Sequence, residues 1–334
     1  MRSDETSWAS TGAVPSVSVI IPTRNRVALL GESIASVRGQ SLHDWEVVVV
    51  DDNSEDSTWD WVGSLQDPRI RAVRLLEHSE RSVARNHGLA IARSEFVLFL
   101  DDDDRLFPIA LSRLVETMRR CPHAIAAIGA RVTVNDQGRR RRLPHTRLPV
   151  TRSIFPHVLL GWVPAQGQCL FRTELFRGSG AYNPTLTLCE DYELWLRVAR
   201  LGKIALIPHS VLENRVHVST VSAEYSDRLM DDMRIEAVFH LRGRERLFGA
   251  RILETRALLQ AANHAYMDGA FAGAFTSYFR AWKHAPFTVW LSFTGVATGI
   301  QIAKSFLGLV LGHRLVRAIK HLRDSAQQVF GRAV

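Results

Sequence analysis

Apolar runs alternate with segments of helical period along the first half of the chain. Val17–Ile21, Trp45–Val50 and Phe96–Leu100 are almost uninterrupted apolar runs, which predict strands buried on both faces of a sheet. Between them, apolar residues recur three and four positions apart, as in amphipathic helices. This alternation implies right-handed crossovers between parallel strands. The predicted fold class is therefore α/β, with a mostly parallel sheet flanked by helices.

The same patterns predict the remaining elements. Helices are expected at 26–39, 56–65, 82–92, 108–120 and 190–200, and further strands at 69–75, 124–134 and 204–207. The strand over 124–134 ends in a turn at Asn135–Gly138, which is followed by four consecutive arginines, Arg139–Arg142. Such a run is more often a solvated hairpin tip than a binding patch, and no role is assigned to it.

Three segments are expected along the chain: a flexible tail over 1–16, an α/β domain over 17–225 and a basic helical region over 226–334. The tail is polar and has no apolar stretch of the kind found in signal peptides, so none is expected. In the last segment, two helices are predicted between residues 251 and 284, on either side of Asp268 and Gly269.

Composition excludes several classes of protein. The 334 residues are 46% hydrophobic and 23% charged, as in globular proteins. Three widely spaced cysteines fit a reducing compartment, and hence the cytoplasm, better than a disulfide framework or a zinc site. The net charge of +8 is concentrated after residue 240, where 13 basic residues stand against 4 acidic ones. No nucleic-acid-binding motif accompanies this charge, so no nucleic-acid partner is expected.

The strands predicted to be buried end in polar residues that suit a ligand. Asp101–Asp104 directly follow the Phe96 strand. Four adjacent carboxylates repel one another unless a cation offsets their negative charge. Alone, this turn fits a solvated helix cap about equally well. However, Asp51–Ser54 and Pro22–Asn25 follow the other two strands. Because parallel strands place their carboxyl ends at one edge of the sheet, the three segments together favour a binding site there.

Residues 286–303 carry no charge, and the apolar stretch continues to Leu311 after Lys304. Its length permits a transmembrane helix, and the pattern also fits a helical subdomain packed on the α/β domain. We expect instead an association with an anionic membrane surface, which places the protein in the cytoplasm at the inner face of the cell membrane. The basic residues that follow would bind the lipid headgroups: His313, Arg314, Arg317, Lys320, His321 and Arg323.

Five motifs in order resemble those of the family-2 inverting glycosyltransferases of the GT-A fold. They are VSVIIPTRN at 17–25, VVVDDNS at 48–54, ARNHG at 84–88, FLDDDD at 99–104 and CEDYELW at 189–195. The resemblance spans about residues 17 to 222. It implies transfer of a sugar from a nucleotide-diphosphate donor, expected to be UDP-linked, to a hydroxyl of a glycan or a lipid-linked intermediate.

The resemblance also implies a Mn²⁺ or Mg²⁺ cofactor. Its ligands would be Asp103 and Asp101, with Asp101 or Asp102 facing the ribose or a metal-bound water. His217 follows Arg215 after the last predicted strand, and by resemblance this pair approaches the diphosphate or the metal. Asp104 matches a frequent fourth acid of the motif, or it caps the helix that begins near Pro108.

By the same resemblance, the nucleotide lies over the first two strands. Pro22 and Arg24 line the base pocket, and Asp52, with Asp51 beside it, accepts a hydrogen bond from the base. An imide N–H, as in uracil or thymine, suits such a carboxylate. Arg24 departs from the tyrosine that is commoner at this position. Arg85 resembles the arginine that contacts the diphosphate. The alternative is a helix-surface arginine paired with an acidic side chain, and the neighbouring carboxylates favour the diphosphate role.

The catalytic base is expected in the last of the five motifs. By resemblance, Asp191 takes the proton of the acceptor hydroxyl, with Glu190 as the alternative. From residue chemistry alone, both are simply acids in the first turn of a helix, where the helix dipole favours them. Trp162, Gln166 and Gln168 resemble a loop that lines the sugar and the acceptor.

Two other functions are considered. A sugar-1-phosphate nucleotidyltransferase would need a glycine-rich phosphate loop after the first strand, and Pro22–Asn25 contains no glycine. A non-catalytic subunit that binds nucleotide sugars or glycans at a membrane stays open.

Overall fold

The computed structural model describes residues 3–5, 14–143, 150–216, 223–268 and 270–284. The strands are β1 (Ser3–Glu5), β2 (Val17–Thr23), β3 (Trp45–Asp51), β4 (Ile70–Leu75), β5 (Phe96–Phe99), β6 (Arg105–Leu106), β7 (Ala124–Asn135), β8 (Arg140–Leu143), β9 (Val150–Arg152), β10 (Cys169–Arg172) and β11 (Lys203–Val216). The helices are α1 (Val27–Arg38), α2 (Thr58–Gly63), α3 (Glu80–Ile91), α4 (Ala110–Arg120), α5 (Phe155–Leu159), α6 (Thr173–Gly178), α7 (Glu190–Val198), α8 (Ala223–Phe239), α9 (Gly243–Met267) and α10 (Phe271–His284).

The strands of these described residues form one mixed sheet. Its order is β1-β4-β3-β2-β5-β10-β7-β11-β6, with β8 paired to β7 and β9 paired to β11. Neighbours are parallel from β4 to β5 and between β7 and β11. The other pairs are antiparallel. The α/β prediction is confirmed, but the sheet is mixed because short antiparallel strands, β10 above all, extend the parallel half.

Alternate residues of the parallel strands pack on opposite faces of the sheet. Val17, Val19 and Ile21 are buried in one cluster with Leu30, Ile34 and Val37 of α1. On the opposite face, α3 approaches so closely that Gly88 lies against Ile20 and Val50. Both faces are thus covered, which is why these strands show uninterrupted apolar runs rather than alternation.

One buried carboxylate interrupts this apolar packing. Glu46 on β3 accepts hydrogen bonds from Ser18 Oγ (2.6 Å) and from the Arg93 backbone N–H (2.9 Å), and it pairs with Arg71. Because its oxygens are satisfied, the charge is tolerated inside the sheet. Although burial acts to raise it, the pKa of Glu46 lies below its ordinary value because of these donors.

The loops that follow β2 and β3 are joined to each other at the carboxyl edge of the sheet. The Asn25 N–H donates to Ser54 Oγ (2.9 Å), and Asn25 Oδ1 accepts from the Glu55 N–H (2.7 Å). Asn25 and Asn53 both have left-handed backbones, with φ of 53° and 58°, a conformation that asparagine tolerates better than most residues. The two loops therefore form one connected rim.

Two elements differ from the predicted organisation. Ser3–Glu5, expected within a loose tail, pairs antiparallel with β4 as an edge strand. The strand predicted at 204–207 continues to Val216, because β11 stays in parallel register with β7 beyond the bulges near Ser210. The extension brings Asn214 and Arg215 to the edge that carries Asp104.

The chain divides into two compact units, Met1–Met233 and Arg234–Val334. The predicted domain boundary at residue 225 falls inside α8. In the second unit, α9 and α10 flank Asp268 as predicted, and Ala262, Ala274 and Tyr278 form a small core between them. No helix within the described residues is long and apolar enough to cross a membrane. The predicted membrane segment at 286–311 lies outside those residues.

The contact of Gly88 with β2 gives a test of the fold. A Cβ at Gly88 would lie 2.5 Å from Ile20 Cγ2 and 3.1 Å from Val50 Cγ2. Gly88→Ala should therefore destabilise the protein by about 1–3 kcal/mol through overpacking. The matched control is Gly63→Ala in α2, where a Cβ would meet nothing within 4 Å, and which should be neutral or stabilising by about 0.4–1 kcal/mol. Urea unfolding measures both, and equal midpoints would contradict this packing.

Candidate functional site

A cavity of about 560 Å³ opens at the carboxyl edge of β2, β3 and β5. Its volume lies in the range of small-molecule sites. The residues that line it are Pro22, Thr23, Arg24, Arg26, Asp52, His78, Glu80, Arg81, Ala84, Arg85, Asp101, Asp102 and Asp103. Seven residues that the sequence analysis assigned to the nucleotide or the metal meet here: Pro22, Arg24, Asp52, Arg85, Asp101, Asp102 and Asp103.

Arg85 connects the acidic turn to the first turn of α7. Its side chain is 3% exposed; Nη2 donates to Asp101 Oδ1 (2.6 Å), and Nη1 donates to Glu190 Oε1 (3.0 Å). The guanidinium also lies 5.1 Å from the ring centre of Tyr182. Although burial acts to lower it, the pKa of Arg85 is raised, first by the charge of Asp101. Arg85 is therefore a permanent buried cation between two carboxylates.

The acidic turn is held from the first loop of the sheet. Asp102 accepts hydrogen bonds from Thr23 Oγ1 (2.8 Å) and Arg26 Nη1 (3.0 Å), and the same Arg26 nitrogen lies 3.2 Å from Asp103 Oδ2. Burial raises the pKa of Asp102 to about 6 in spite of these donors. Sequence reasoning missed Arg26, because a lone arginine before a helix carries no recognisable signal.

Asp104 points into the protein instead of capping α4. Both of its carboxylate oxygens accept from Asn214 Nδ2 at 3.0 Å, and Oδ1 also accepts from the Arg215 N–H at 3.0 Å. Burial, followed by the charge of Asp101, raises its pKa to about 8. The position before α4 is occupied by Ile109, so the predicted cap is wrong.

Arg215, predicted with His217 to approach the diphosphate or the metal, pairs with Glu32 and is not among the residues that line the cavity. His217, predicted as a metal ligand, lies outside the described residues.

The two aspartates after β3 have different environments. Asp52 lines the cavity and accepts from the N–H groups of Ser79 (2.8 Å) and Glu80 (3.1 Å), with His78 Nδ1 2.6 Å away. It therefore holds the segment that leads into α3. Asp51 is fully buried; it accepts from the hydroxyl of Ser54 and lies 3.5 Å from Arg74 Nε. Burial raises the pKa of Asp51. It is not a cavity residue, which corrects its assignment to the nucleotide site.

Glu190 and Asp191 form the first turn of α7, as predicted. The preceding Cys189 has a left-handed backbone, with φ of 58°. Glu190 is taken by Arg85, whereas Asp191 Oδ1 accepts from the N–H of its neighbour Tyr192 (2.7 Å). Burial, followed by the charge of Glu190, raises the pKa of Asp191 to about 6. Neither acid lines the cavity, but Arg85 links Glu190 directly to it.

The three residues expected to line the sugar and the acceptor have different environments in the structure. Gln168 Nε2 donates to the Gly129 carbonyl (2.7 Å), and its Oε1 accepts from the Ala165 N–H (2.8 Å). Its amide is thus used by the fold, which corrects its predicted role as a ligand for hydroxyls. Gln166 is 4% exposed, and neither of its amide atoms has a hydrogen-bond partner in the described structure. Trp162 is half-buried after α5 and is not a cavity residue.

The acidic turn fits a divalent cation that is shared with phosphate. No group of three or more metal-ligating side chains is assembled among the described residues. Asp101 and Asp103 are the members of the turn with partly exposed side chains, 37% and 16%, and both line the cavity. Mg²⁺ is usually held by one or two carboxylates together with substrate phosphates and water, so two such side chains suffice.

Comparison with known proteins agrees with this geometry. The model of glycosyl transferase family 2 matches residues 18–178. A GalNAc(5)-diNAcBac-PP-undecaprenol beta-1,3-glucosyltransferase from Campylobacter jejuni is 42% identical over 106 residues, which are 31% of this chain and 34% of that protein. The putative teichuronic acid biosynthesis glycosyltransferase TuaG of Bacillus subtilis is 36% identical over 124 residues, 36% of this chain and 49% of the relative. The chain thus spans half or less of the length of these two curated relatives.

The solved structure of residues 1–349 of S. aureus TarS has a similar fold. Its TM-score is 0.61 at 18% identity, and the match covers 89% of this chain and 92% of that one. The same TarS fragment has also been solved in complex with UDP-GlcNAc.

The buried ion pairs of Arg85 predict the effect of removing its charge. Arg85→Met leaves Asp101 and Glu190 uncompensated, and it should destabilise the protein at pH 8 by about 3–5 kcal/mol. The loss should shrink at pH 5, because carboxylates without a partner cation bind protons more readily. Arg81→Met is the matched control: its side chain is 60% exposed and 3.9 Å from Glu190, so the change should stay within about 0.5 kcal/mol. Denaturant unfolding at both pH values measures the loss of unfolding free energy in each variant. Similar losses for Arg85→Met and Arg81→Met would contradict the bridging role of Arg85.

Proposed function

We propose that this chain, which belongs to glycosyltransferase family 2, transfers a sugar from a nucleotide-diphosphate donor to an acceptor hydroxyl with inversion at the anomeric carbon. The observation that carries the proposal is the Arg85 bridge, which joins a cavity lined by Asp101–Asp103 to Glu190, the neighbour of Asp191 in the first turn of α7. A cation for the diphosphate and oxygen ligands for a metal thereby lie in one chain of contacts that ends at the residue next to the candidate base.

The donor would lie across the cavity. Pro22, Arg24 and Asp52 are available for the base, and a UDP-linked donor is favoured because an imide N–H suits the Asp52 carboxylate. The complex of TarS with UDP-GlcNAc supports a uridine donor for this fold. Arg85 and Arg26 provide positive charge for the diphosphate, and the buried Nε of Arg85 has no hydrogen-bond partner in the described structure. Arginine is well suited to phosphate oxygens because its N–H groups form a rigid fork.

Asp101 and Asp103 would hold Mn²⁺ or Mg²⁺ against the diphosphate. The ion would offset the negative charge that develops on the leaving group. The residues of the chain supply the rest of the arrangement. Thr23 and Arg26 orient Asp102 and Asp103, and Asn214 holds Asp104 away from the cavity.

Asp191 is the proposed general base. The acceptor oxygen attacks the anomeric carbon on the face opposite the diphosphate, its proton passes to the Asp191 carboxylate, and the bond from the sugar to the diphosphate breaks. Glu190 is less suited, because Arg85 already occupies its carboxylate. A base with a pKa of about 6 is ionised at neutral pH and still has useful affinity for a proton.

The acceptor is proposed to be a glycan or a lipid-linked intermediate. The names of the C. jejuni and B. subtilis relatives support this class. Gln166, whose amide is buried without a partner, is the candidate to bind a sugar or acceptor hydroxyl. Association of residues 286–311 with a membrane surface stays a prediction.

Donor binding tests the proposal. We would titrate UDP, dTDP, GDP and CDP into the full chain by calorimetry, with and without Mn²⁺. One of these diphosphates should bind in the presence of Mn²⁺. Its affinity should be about 10- to 100-fold lower without the metal or in Asp103→Asn, as is usual when metal binding is impaired. Asp60→Asn, an exposed acid on α2, is the charge-matched control and should bind normally. If none of the four nucleoside diphosphates bound, the donor site would be refuted. If one bound with an affinity that depended on neither the metal nor Asp103, the donor site would lie elsewhere in the protein.

Asp191→Asn should separate catalysis from binding. The turnover number, followed as release of nucleoside diphosphate from the nucleotide sugar, should fall by about 10²- to 10⁴-fold while affinity for the diphosphate stays nearly constant. In the wild type, kcat/KM should fall about tenfold per pH unit below pH 6, because protonation of Asp191 removes the base. Loss of affinity equal to the loss of turnover, or a flat profile from pH 5 to 8, would rule out this role.

A further inference from the structure

Three residues of the arginine run, Arg140–Arg142, belong to β8, which pairs antiparallel with β7. Thr133 pairs with Arg141, whereas Val132 and Val134 pair with Arg142 and Arg140. Because side chains alternate between the two faces of a strand, Arg141 lies on one face of the sheet, and Arg140 and Arg142 lie on the other. The three arginines of β8 therefore have two different environments.

Arg140 and Arg142 are bound by the fold. The side chain of Arg140 pairs with Glu213, which is only 12% exposed. Arg142 Nε donates to Ser210 Oγ (3.1 Å), and its guanidinium also reaches the Pro208 carbonyl. These two arginines stabilise the contact of the hairpin with β11, and their conformations are explained without a ligand.

The opposite face carries Arg141 and Arg131. Arg131 and Thr133 lie on the same face of β7, and Thr133 pairs with Arg141 on β8 and with Asn214 on β11. Asn214 is the residue that donates to Asp104. This face of the hairpin therefore continues directly from the acidic turn.

The two guanidiniums on this face have no hydrogen-bond or ion-pair partner within the described residues. Arg141 is exposed, and Arg131 is partly buried. Burial lowers the pKa of Arg131, although the nearby charges of Asp104 and Asp191 act to raise it. The larger of these two contributions is that of Asp104, the carboxylate that Asn214 binds. A partly desolvated guanidinium without a direct ion pair is still costly, and a bound anion would offset that cost.

We propose that Arg131 and Arg141 bind a phosphate group of the acceptor. Their diagonal spacing on adjacent strands, about 7–8 Å, lets both guanidiniums reach one phosphate or two successive ones. The donor diphosphate has its own cations, Arg85 and Arg26, in the cavity. The second cationic face continues from Asp104 and is not part of the cavity lining, so we assign it to the acceptor. The acceptor class would then be a phosphate-bearing one, either a soluble phosphodiester or polyphosphate chain or a lipid-linked phosphate.

This inference rests on the proposed function, because it takes Asp191 as the base beside which the acceptor lies. We would measure binding of the full chain, saturated with UDP and Mn²⁺, to two probes. One is inorganic polyphosphate, and the other is phosphatidylcholine vesicles containing polyprenyl phosphate, with plain phosphatidylcholine vesicles as reference. The variants are Arg141→Gln, Arg131→Gln and the control Arg142→Gln, which removes the same charge from the other face of the same strand.

Arg141→Gln and Arg131→Gln should each weaken binding of one probe by roughly tenfold, the equivalent of about 1.4 kcal/mol, while Arg142→Gln stays within about twofold. The probe that binds identifies the source of the phosphate. Equal losses of affinity in all three variants would show that only the net charge of the protein matters, and this would overturn the proposal. It would also be overturned if neither probe bound. UDP affinity, measured on the same samples, separates the two ideas. If UDP binds normally and neither phosphate probe binds, this inference alone fails, whereas absence of UDP binding refutes the proposed function itself.

Discussion

The buried guanidinium of Arg85 is the interaction on which the rest of the site depends. It lies between Asp101, which follows a parallel strand, and Glu190, which is 105 residues after Arg85 at the start of a helix. Removing two carboxylates and a guanidinium from water is expensive, and direct hydrogen bonds between them are what offset that cost. Such a pairing leaves little freedom in where α7 begins relative to the acidic turn. The position of the first turn of α7 relative to the cavity therefore depends on one side chain.

The electrostatics around this bridge are only partly balanced. Arg85 and Arg26 compensate Asp101, Asp102 and Asp103, but burial still raises the pKa of Asp102 to about 6 and that of Asp104 to about 8. These carboxyls hold protons more tightly than they would in water, because burial disfavours their charged form. A divalent ion shared with a diphosphate would stabilise the charged form of the carboxylates that line the cavity.

The parallel half of the sheet and much of the cavity lining could be predicted from the sequence. Runs such as Val47–Val50 show burial on both faces, and the polar residues after such strands must meet at one edge. Periodicity could not reveal β10, because four residues are too few, nor its insertion between β5 and β7, because strand order depends on contacts distant in sequence. For the same reason Arg26 was missed, and Gln168 was taken for a ligand although it binds the backbone of β7.

A structure of the full chain with UDP and Mn²⁺ would test the central claim most directly. The account predicts the diphosphate beside Arg85, the metal between its oxygens and the carboxylates of Asp103 and Asp101, and the uracil over Pro22 and Arg24 near Asp52. The carboxylate of Asp191 should be open toward the position of the acceptor. A diphosphate bound away from Arg85, or a metal that contacts none of Asp101, Asp102 and Asp103, would contradict the account.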